Sequence, residues 1–341
     1  MNFLNHDQVY LIAEIGVNHN GDMNLAKTLI KAAKESGADA VKFQTFLAEK
    51  LVSPGTPKVA YQKLTTSGEE SHFDMIRSLE LSPSNHYYLK EYCDLLGIEF
   101  LSTPYDIESA KLLNELDVAF FKTCSADITD IPLHKYIAST KKPCVISTGM
   151  ATLGEIEAIL QEYDGYDGSN VALLHCVSNY PCSDSSINMN VLKTLQGAFH
   201  VPIGYSDHGV GNVAALLSVA FGARIIEKHF TIDKSLAGPD HKASVTPDEF
   251  HSLVSEIRRA EKILGSPLKR CQNEEREMAS VSRKSLVIAS DLTKGSILSE
   301  ESLTLKRPGT GLSSQYLKFF IGKKLVRDLP RNHLLSIGDV A

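Results

Sequence analysis

Two histidines lie where two successive apolar runs of the chain end. His208 follows the run at residues 201–205, and His229 lies near the end of the run at residues 224–230. Adjacent parallel strands are about 4.8 Å apart, so imidazoles at equivalent strand ends can reach one divalent metal ion. With two protein ligands, such an ion keeps positions open for water and a substrate oxygen. We therefore predict that His208 and His229 bind a metal and act in catalysis.

Two lysines and several hydroxyl groups form a second set of candidates. Lys42 and Lys122 belong to the second and fourth apolar runs. The hydroxyl residues near other run ends are Thr103, Ser125, Ser147 and Ser206. Hydroxyls and backbone N–H groups bind phosphate well, and lysines supply the positive charge. The sequence therefore predicts a cradle for a small polyanion, such as a phosphorylated carboxylate.

Acidic side chains occur at the same predicted strand ends. Glu14 ends the first run, Glu227 lies in the eighth, and Asp240 follows in a Gly-Pro-Asp turn. Asp240 is a candidate acceptor for a substrate hydroxyl. A buried ion without a partner costs several kcal/mol. Polar groups near the ends of all eight runs therefore indicate a functional site rather than packing.

Eight short apolar runs must position these side chains. They are residues 9–15, 40–43, 99–101, 119–122, 143–147, 171–176, 201–205 and 224–230. Helix-like patterns occur between many of them, at residues 24–36, 83–96, 107–116, 153–163, 189–199 and 212–221. Eight alternating units predict a closed (β/α)8 TIM barrel, whose active site lies where the strands end. A doubly wound open sheet is the alternative, but no GxGxxG fingerprint follows the first run.

The chain divides into three predicted segments. Residues 1–265 form the barrel domain, residues 266–282 a polar linker, and residues 283–341 a small β-rich domain. The small domain is predicted from short β-like pieces punctuated by Gly and Pro, at residues 285–289, 302–306 and 323–326. Residues 49–81 are too many for an ordinary βα loop, so we predict that they cross the barrel mouth.

Composition limits the class of protein. The 341 residues are 43% hydrophobic and 22% charged, which predicts a sizeable folded core. The net charge of -6, without a long run of one sign, argues against nucleic acid as a partner. The six cysteines form no CxxC pair, the first eight residues lack an apolar signal region, and no segment is apolar enough to span a bilayer. We expect a cytoplasmic protein with free thiols.

Motifs at seven of the eight runs, and two motifs that follow the eighth run, resemble those of bacterial sialic acid synthases. This family includes N-acetylneuraminate, legionaminate and pseudaminate synthases. The resemblance covers the chain from about Tyr10 to its end. It rests on AEIGVNHNG (13–21), VKFQT (41–45), STP (102–104), STGM (147–150), LHC (174–176), GYSDH (204–208), IEKHFT (226–231), GPD (238–240) and KRPG (306–309).

The resemblance implies an activity and its binding residues. It implies a metal-dependent condensation of phosphoenolpyruvate with N-acetylmannosamine, or a related N-acylated amino sugar, to give N-acetylneuraminate or a similar nonulosonic acid. Positions matching the phosphoenolpyruvate site are Lys42, Thr103, Lys122, Ser125, Ser147 and Ser206. Positions near the sugar or the attacking water are Glu14, Gln44, Tyr180 and Asp240. Ser178 and Glu227 are placed with these substrate-binding residues.

The resemblance also implies a metal, a second domain and a partner chain. His208 and His229 would hold Mn2+ or Mg2+. The small domain would be an antifreeze-like (SAF) domain, exchanged between the chains of a homodimer. Arg307 would then reach the partner's active site and bind the N-acyl end of the sugar.

Three departures bear on which sugar is used. Many members have asparagine at the position of Ser178. Many also have a different sequence where this chain has residues 181–183. Residues 283–285 replace an aromatic residue that is found in some N-acetylneuraminate synthases. N,N'-diacetyllegionaminate synthesis from 2,4-diacetamido-2,4,6-trideoxymannose is therefore an open alternative, followed by pseudaminate synthesis. A related condensation with a phosphorylated sugar would need an additional site for the sugar phosphate. The predicted strand ends offer no surplus basic cluster for such a site. A non-catalytic, carbohydrate-binding function is a further alternative, but it would not explain the lysines, the histidines and Glu14 at the strand ends.

Overall fold

The computed structural model describes residues 8–53, 55–58, 62, 66, 70–163 and 170–341. The prediction that the first eight residues carry no secretory signal lies almost wholly outside the described residues. The predicted excursion at residues 49–81 is described in part. The chain folds as two compact units, Met1–Gly265 and Ser266–Ala341. Among the described residues, no helix has both the length and the apolar character needed to cross a membrane.

The first unit contains eight parallel strands. They are β1 (Tyr10–Gly16), β2 (Ala40–Thr45), β3 (Glu99–Pro104), β4 (Phe121–Thr123), β5 (Cys144–Ser147), β6 (Val171–His175), β7 (Ile203–Asp207) and β8 (Ile225–His229). Their order is β3-β2-β1-β8-β7-β6-β5-β4, and the two end strands, β3 and β4, also contact each other. The sheet therefore closes, which confirms the predicted TIM barrel.

Helices surround this sheet. They are α1 (Met23–Glu35), α2 (Ala48–Leu51), α3 (His72–Ser78), α4 (Pro83–Leu96), α5 (Ile107–Glu115), α6 (Ile131–Ser139), α7 (Leu153–Leu160), α8 (Asp184–Ile187), α9 (Val191–Phe199), α10 (Val213–Ala220) and α11 (Pro247–Leu264). Asp22 caps α1 by accepting the backbone N–H of Asn24 at 2.7 Å, and α4 ends at Gly97 with φ of 66°. The helix α6, which follows the N-cap Asp130, is not among the helices predicted from the sequence.

Strand alternation places the polar residues above an apolar layer inside the barrel. Tyr10 and Ile12 belong to an interior apolar cluster, whereas Leu11 and Ala13 pack in the larger core that includes the helices. Because side chains alternate along a strand, Glu14 points inward in the layer after Ile12. The same alternation brings the inward residues of the other strands to this layer. The barrel core thus ends, at the carboxyl edge of the sheet, in a polar floor.

The second unit has a small apolar core. It contains α12 (Arg276–Ser282), the antiparallel pair β9 (Ser285–Ile288) and β10 (Leu303–Lys306), and α13 (Leu317–Phe320). Its buried cluster comprises Leu286, Ile288, Leu298, Leu303, Phe320, Leu325, Leu329 and Leu335. The predicted β piece at residues 323–326 forms single bridges, through Lys324 and Leu325, rather than a strand. The segment predicted as a linker contains α12.

Candidate active site

One cavity of about 420 Å³ lies at the carboxyl ends of the barrel strands. The structure brings together there every site residue predicted in the first unit. These are Glu14, Lys42, Gln44, Thr103, Lys122, Ser125, Ser147, Ser178, Tyr180, Ser206, His208, Glu227, His229 and Asp240. Arg307 lies in the second unit, where its Nε donates to the Ser282 carbonyl at 3.1 Å.

Two buried lysines flank one carboxylate at the centre of the cavity floor. The Nζ atoms of Lys42 and Lys122 lie 3.8 and 3.6 Å from the two oxygens of Glu227, and Lys42 also lies 2.6 Å from Glu14 Oε2. Burial favours the neutral acid, but Lys122 and Lys42 lower the pKa of Glu227 to about 2. Burial alone would lower the pKa of Lys42, but Glu14 and Glu227 raise it above its ordinary value. Glu227 and Lys42 are therefore charged at neutral pH.

Glu14 is the other carboxylate of this floor. Its Oε1 accepts a hydrogen bond from Gln44 Nε2 at 3.2 Å. Burial raises the pKa of Glu14 to about 7, although Lys42 opposes the rise, and the nearby Glu227 adds to it. A carboxyl group with a pKa near neutrality can exchange its proton within the working pH range of an enzyme.

Hydroxyl groups surround the lysines and extend towards the β5 end. Lys42 Nζ donates to Thr103 Oγ1 at 2.9 Å, and Lys122 Nζ donates to Ser147 Oγ at 2.7 Å. Ser125 Oγ accepts the Gly149 N–H at 2.9 Å. A Cβ at Gly149 would lie only 2.8 Å from Ser125 Oγ and would also overlap Ser178 Oγ. Glycine at this position lets the hydroxyls close around the backbone, and the resulting group of hydroxyls has the chemistry that an anion site requires.

The two predicted metal ligands face each other. The ring centroids of His208 and His229 are 5.8 Å apart. The Nδ1–H of His208 donates to the Val177 carbonyl at 2.7 Å, which leaves the lone pair on Nε2. That Nε2 lies 3.1 Å from Tyr180 OH and 3.2 Å from Ser206 Oγ. His208 therefore presents an acceptor nitrogen to the cavity.

These histidines fit a divalent metal ion. Burial lowers the pKa of His208 to about 4 and that of His229 to about 3, so both rings are neutral at neutral pH. The Nδ1 of His229 is buried, makes no hydrogen bond, and lies 3.8 Å from Asp240 Oδ2. In the described part of the chain, no set of three or more His, Cys, Asp or Glu side chains could hold a metal. An ion here would thus have two histidine ligands and open positions.

An ion pair that the sequence analysis does not predict supports the histidines. Lys228 Nζ lies 2.5 Å from Asp207 Oδ2 and donates to the carbonyls of Gly209 and Gly211, each at 3.1 Å. Both side chains are buried. Alternation along β8 could have revealed the pair, because Lys228 must point away from the face that carries Glu227 and His229.

Other lining residues also escape the sequence analysis. Cys124, Met150 and Cys176 line the cavity, but apolar or thiol side chains next to strand ends carry no distinctive signal. His175, the last residue of β6, contacts the Ile187 carbonyl through Nε2 at 2.6 Å. It is not among the residues that line the cavity.

A TIM barrel with a cationic, hydroxyl-rich cradle beside a histidine pair defines a barrel enzyme that acts on an anionic substrate. The chain belongs to the NeuB family, which it matches over residues 29–269, and residues 283–341 match the SAF domain. The chain is a synthase of the kind that makes nonulosonic acids. The predicted family is confirmed.

Three similar proteins are informative. The N,N'-diacetyllegionaminic acid synthase of Legionella pneumophila is 45% identical, over 94% of this chain and 91% of that protein. The N,N'-diacetyllegionaminic acid synthase of Campylobacter jejuni is 44% identical, over 95% of this chain and 98% of that protein. A crystal structure of N-acetylneuraminic acid synthetase from Leptospira borgpetersenii, in complex with citrate, is 35% identical with a TM-score of 0.72, covering 80% of this chain and 90% of that chain.

Proposed function

We propose that this protein condenses phosphoenolpyruvate with 2,4-diacetamido-2,4,6-trideoxymannose and water, giving N,N'-diacetyllegionaminic acid and phosphate. The observation that carries the phosphoenolpyruvate part is the pair of buried lysines, Lys42 and Lys122, set among hydroxyl groups around Glu227. The two diacetyllegionaminic acid synthases at 45% and 44% identity support the choice of sugar. N-Acetylmannosamine is the second candidate, supported by the Leptospira synthetase.

Phosphoenolpyruvate fits the cradle by charge and by hydrogen-bonding capacity. Its carboxylate and phosphate would each face one of the two ammonium groups, and Ser125 and Ser147 would complete the phosphate contacts. Among the described residues that line the cavity, Lys42 and Lys122 are the only lysines, and no arginine joins them. Both cations are then used, which favours an acceptor sugar without its own phosphate.

The acceptor aldehyde belongs at the histidine pair. His208 and His229 would hold Mn2+ or Mg2+, which supplies Lewis-acid polarisation of a carbonyl oxygen when bound. Tyr180 contacts His208, Asp240 lies 3.8 Å from His229, and both can bind sugar hydroxyls. Gln44, which contacts Glu14, reaches the same space from β2. These side chains orient the open-chain sugar with C1 towards the cradle.

The reaction joins C3 of phosphoenolpyruvate to C1 of the sugar. Electrons from the enol double bond form the new C–C bond, the π electrons of the C1 carbonyl move onto its oxygen, and positive charge develops at C2. The C1 oxygen gains a proton, which balances the proton that the attacking water loses. Glu14, as a carboxylate, stabilises the charge at C2 and orients the water that adds there. The tetrahedral product then loses phosphate by cleavage of the bond between C2 and oxygen. Lys42 and Lys122 hold the phosphate and carboxylate through these steps.

Arg307 and the assembly complete the proposal. We place Arg307 at the N-acyl end of the sugar in the partner's cavity, within a domain-exchanged homodimer. Its guanidinium is exposed in the second unit and is therefore available to a ligand. A cytoplasmic location is proposed because phosphoenolpyruvate is produced there.

An isotope experiment tests which bond of phosphoenolpyruvate is cleaved, the bond between C2 and oxygen or the bond between phosphorus and oxygen. Phosphoenolpyruvate labelled with ¹⁸O at the bridging oxygen is converted with the trideoxy sugar, and the released phosphate is analysed by mass spectrometry. Retention of the label in phosphate is expected, because C2–O cleavage leaves the bridging oxygen on phosphorus. Loss of the label would show P–O cleavage and would overturn the proposed role of Glu14.

A further inference from the structure

One side of the active-site cavity is apolar, and the proposed chemistry uses none of it. Six side chains on this side pack together as one cluster, which we call the apolar wall, and Thr56, Gln62 and His72 of the neighbouring insertion also line the cavity. The six are Val17, Phe46, Leu51, Ile76, Leu79 and Tyr105. All six also line the cavity that contains Glu14, Lys42 and the histidine pair.

The apolar wall begins where the polar floor ends. Val17 directly follows β1 and lies three residues after Glu14. Phe46 directly follows β2 and lies two residues after Gln44. Tyr105 follows β3, its N–H donates to the Thr45 carbonyl at 3.1 Å, and its ring meets the Phe46 ring edge-on with centroids 5.9 Å apart. The wall therefore stands on the β1–β3 side of the cavity, whereas β7 and β8 supply the histidines.

The insertion between β2 and α4 supplies the rest of the apolar wall. Leu51 comes from α2 and Ile76 from α3, and these two helices contact each other. The Ala48 N–H donates to Glu80 Oε1 at 2.5 Å, which joins the start of α2 to the segment after α3. The wall is thus fixed to the described part of the insertion and to the strand ends.

The position of the apolar wall assigns it to the end of the sugar remote from C1. With the aldehyde at the histidines and phosphoenolpyruvate at the lysines, as proposed, Gln44 lies between Lys42 and Phe46 along the chain and can bind a hydroxyl next to the wall. Five of the six wall side chains have no polar atom, so a hydroxymethyl group packed against those five would lose water contacts without gaining partners. A methyl group there would bury apolar surface at no such cost.

We propose that the apolar wall is the specificity element that selects a 6-deoxy acceptor, by contact with its terminal methyl group. This inference rests on the proposed condensation reaction, and it adds the residues that choose the sugar. An apolar pocket rejects an added hydroxyl only moderately, so kcat/KM should favour the deoxy sugar by about 10- to 100-fold.

A matched pair of acceptors isolates this contact. N-Acetylmannosamine and 2-acetamido-2,6-dideoxymannose differ only in the oxygen at C6. Phosphate release from phosphoenolpyruvate is measured with each sugar and Mn2+, for the full-length protein and for the half-buried wall variants Ile76→Thr and Leu51→Gln. Leu112→Gln is the matched control, because Leu112 is a half-buried helical residue that packs on the core outside the cavity.

The expected result is a preference of about tenfold or more for the deoxy sugar, reduced at least about fivefold by either wall variant but unchanged in Leu112→Gln. Equal kcat/KM for the two sugars in the unmodified protein would overturn the inference and leave the condensation reaction standing. So would a preference that neither wall variant alters. If none of the three sugars, including the diacetamido sugar, stimulates phosphate release, the proposed function and the inference are overturned together.

Discussion

Lys228 and Asp207 form a buried ion pair, with Nζ and Oδ2 2.5 Å apart, immediately before the two candidate metal ligands in the chain. Asp207 precedes His208, and Lys228 precedes His229. The two residues are also register partners on β7 and β8. Because neighbouring side chains of a strand point to opposite faces, the pair links the strands behind the histidines. It therefore fixes the spacing of the two rings from outside the cavity.

Removing one member of this pair should destabilise the barrel. Lys228→Met leaves the Asp207 carboxylate buried without its partner, and we expect a loss of about 3–5 kcal/mol in the free energy of unfolding. Urea unfolding followed by far-UV circular dichroism measures the loss. Lys31→Met is the control, because the Lys31–Glu35 pair is 3.8 Å apart and more than 60% exposed. A loss no larger than that of the control would show that the pair does not hold the strands.

The metal proposal predicts binding as well as activity. His208→Ala and His229→Ala should each weaken Mn2+ affinity at least about 100-fold, because each removes one of the two protein ligands. Isothermal titration calorimetry of the chelator-treated protein measures this. His200→Asn is the control, since His200 is exposed and has a φ of 50° that asparagine tolerates. Unchanged Mn2+ affinity in both alanine variants would place the metal elsewhere.

The raised pKa of Glu14 predicts that kcat/KM falls on the acid side of its pH profile, a region we call the acid limb. Burial raises its pKa to about 7, and the carboxylate is the form proposed to act on the attacking water. The kcat/KM should therefore fall about tenfold for each pH unit below this pKa, since that parameter reports the free enzyme.

Glu14→Gln should lower kcat at least about 100-fold and remove the acid limb from the remaining activity. The measurement is the rate of phosphate release across the pH range, with phosphoenolpyruvate and sugar both varied. A Glu14→Gln profile that keeps the acid limb would assign the titration to another group.

The lowered pKa of Asp339 predicts that the second unit loses stability in acid. Its buried carboxylate accepts from Arg327 Nε at 2.9 Å, from His333 Nε2 at 3.0 Å and from the Ser336 N–H at 2.8 Å. Burial would raise the pKa of Asp339, but the hydrogen bonds from Arg327 and Ser336 lower it to about 2. A depressed pKa stabilises the fold above the unfolded value of about 3.9, and this stabilisation is lost as pH falls towards about 2.

Asp339→Asn should therefore lower the free energy of unfolding of the second unit by about 2 kcal/mol at neutral pH. The difference in this free energy between the variant and the unmodified protein should shrink as the pH falls from about 4 to about 2. Hydrogen exchange of the β9 and β10 amides, followed by mass spectrometry, confines the measurement to this unit. Glu301→Gln, at an exposed position, serves as the control. A difference that is constant over this pH range would exclude the charge of Asp339 as the cause.

The proposed exchange of domains predicts complementation between two inactive variants. Glu14→Gln disables the barrel and Arg307→Ala disables the second unit. If Arg307 acts in the partner's cavity, a mixed dimer has one site with both residues intact, so co-expression should restore about a quarter of the unmodified activity. If Arg307 acts within its own chain, every site of the mixed dimer lacks one residue. Activity no higher than that of either variant alone would contradict the exchange.

The polar floor of the barrel could be predicted because its signal is local. Alternation along β1 is enough to place Tyr10, Ile12 and Glu14 on one face, and the barrel rule then sets Glu14 at the active-site edge. The second strand repeats the pattern with Ala40 and Lys42. Residues that share the cavity can therefore be identified from the sequence before any distance between them is known.

Features that depend on distant or compensating contacts could not be predicted. The helix α6 (Ile131–Ser139) has Pro132 in its first turn, where proline is tolerated but resembles a helix breaker in sequence. The apolar wall draws on β1, β2, β3 and the insertion, and its members look like ordinary core residues one by one. Their common exposure to the cavity appears only in three dimensions.

The most direct test of the proposed function is phosphate release from phosphoenolpyruvate in the presence of Mn2+, with and without 2,4-diacetamido-2,4,6-trideoxymannose. The account predicts release that requires the sugar, with a product whose mass equals that of N,N'-diacetyllegionaminic acid. N-Acetylmannosamine, tested in parallel, should give slower release. Failure of all N-acylated amino sugars to stimulate release, or release at the same rate without any sugar, would contradict it.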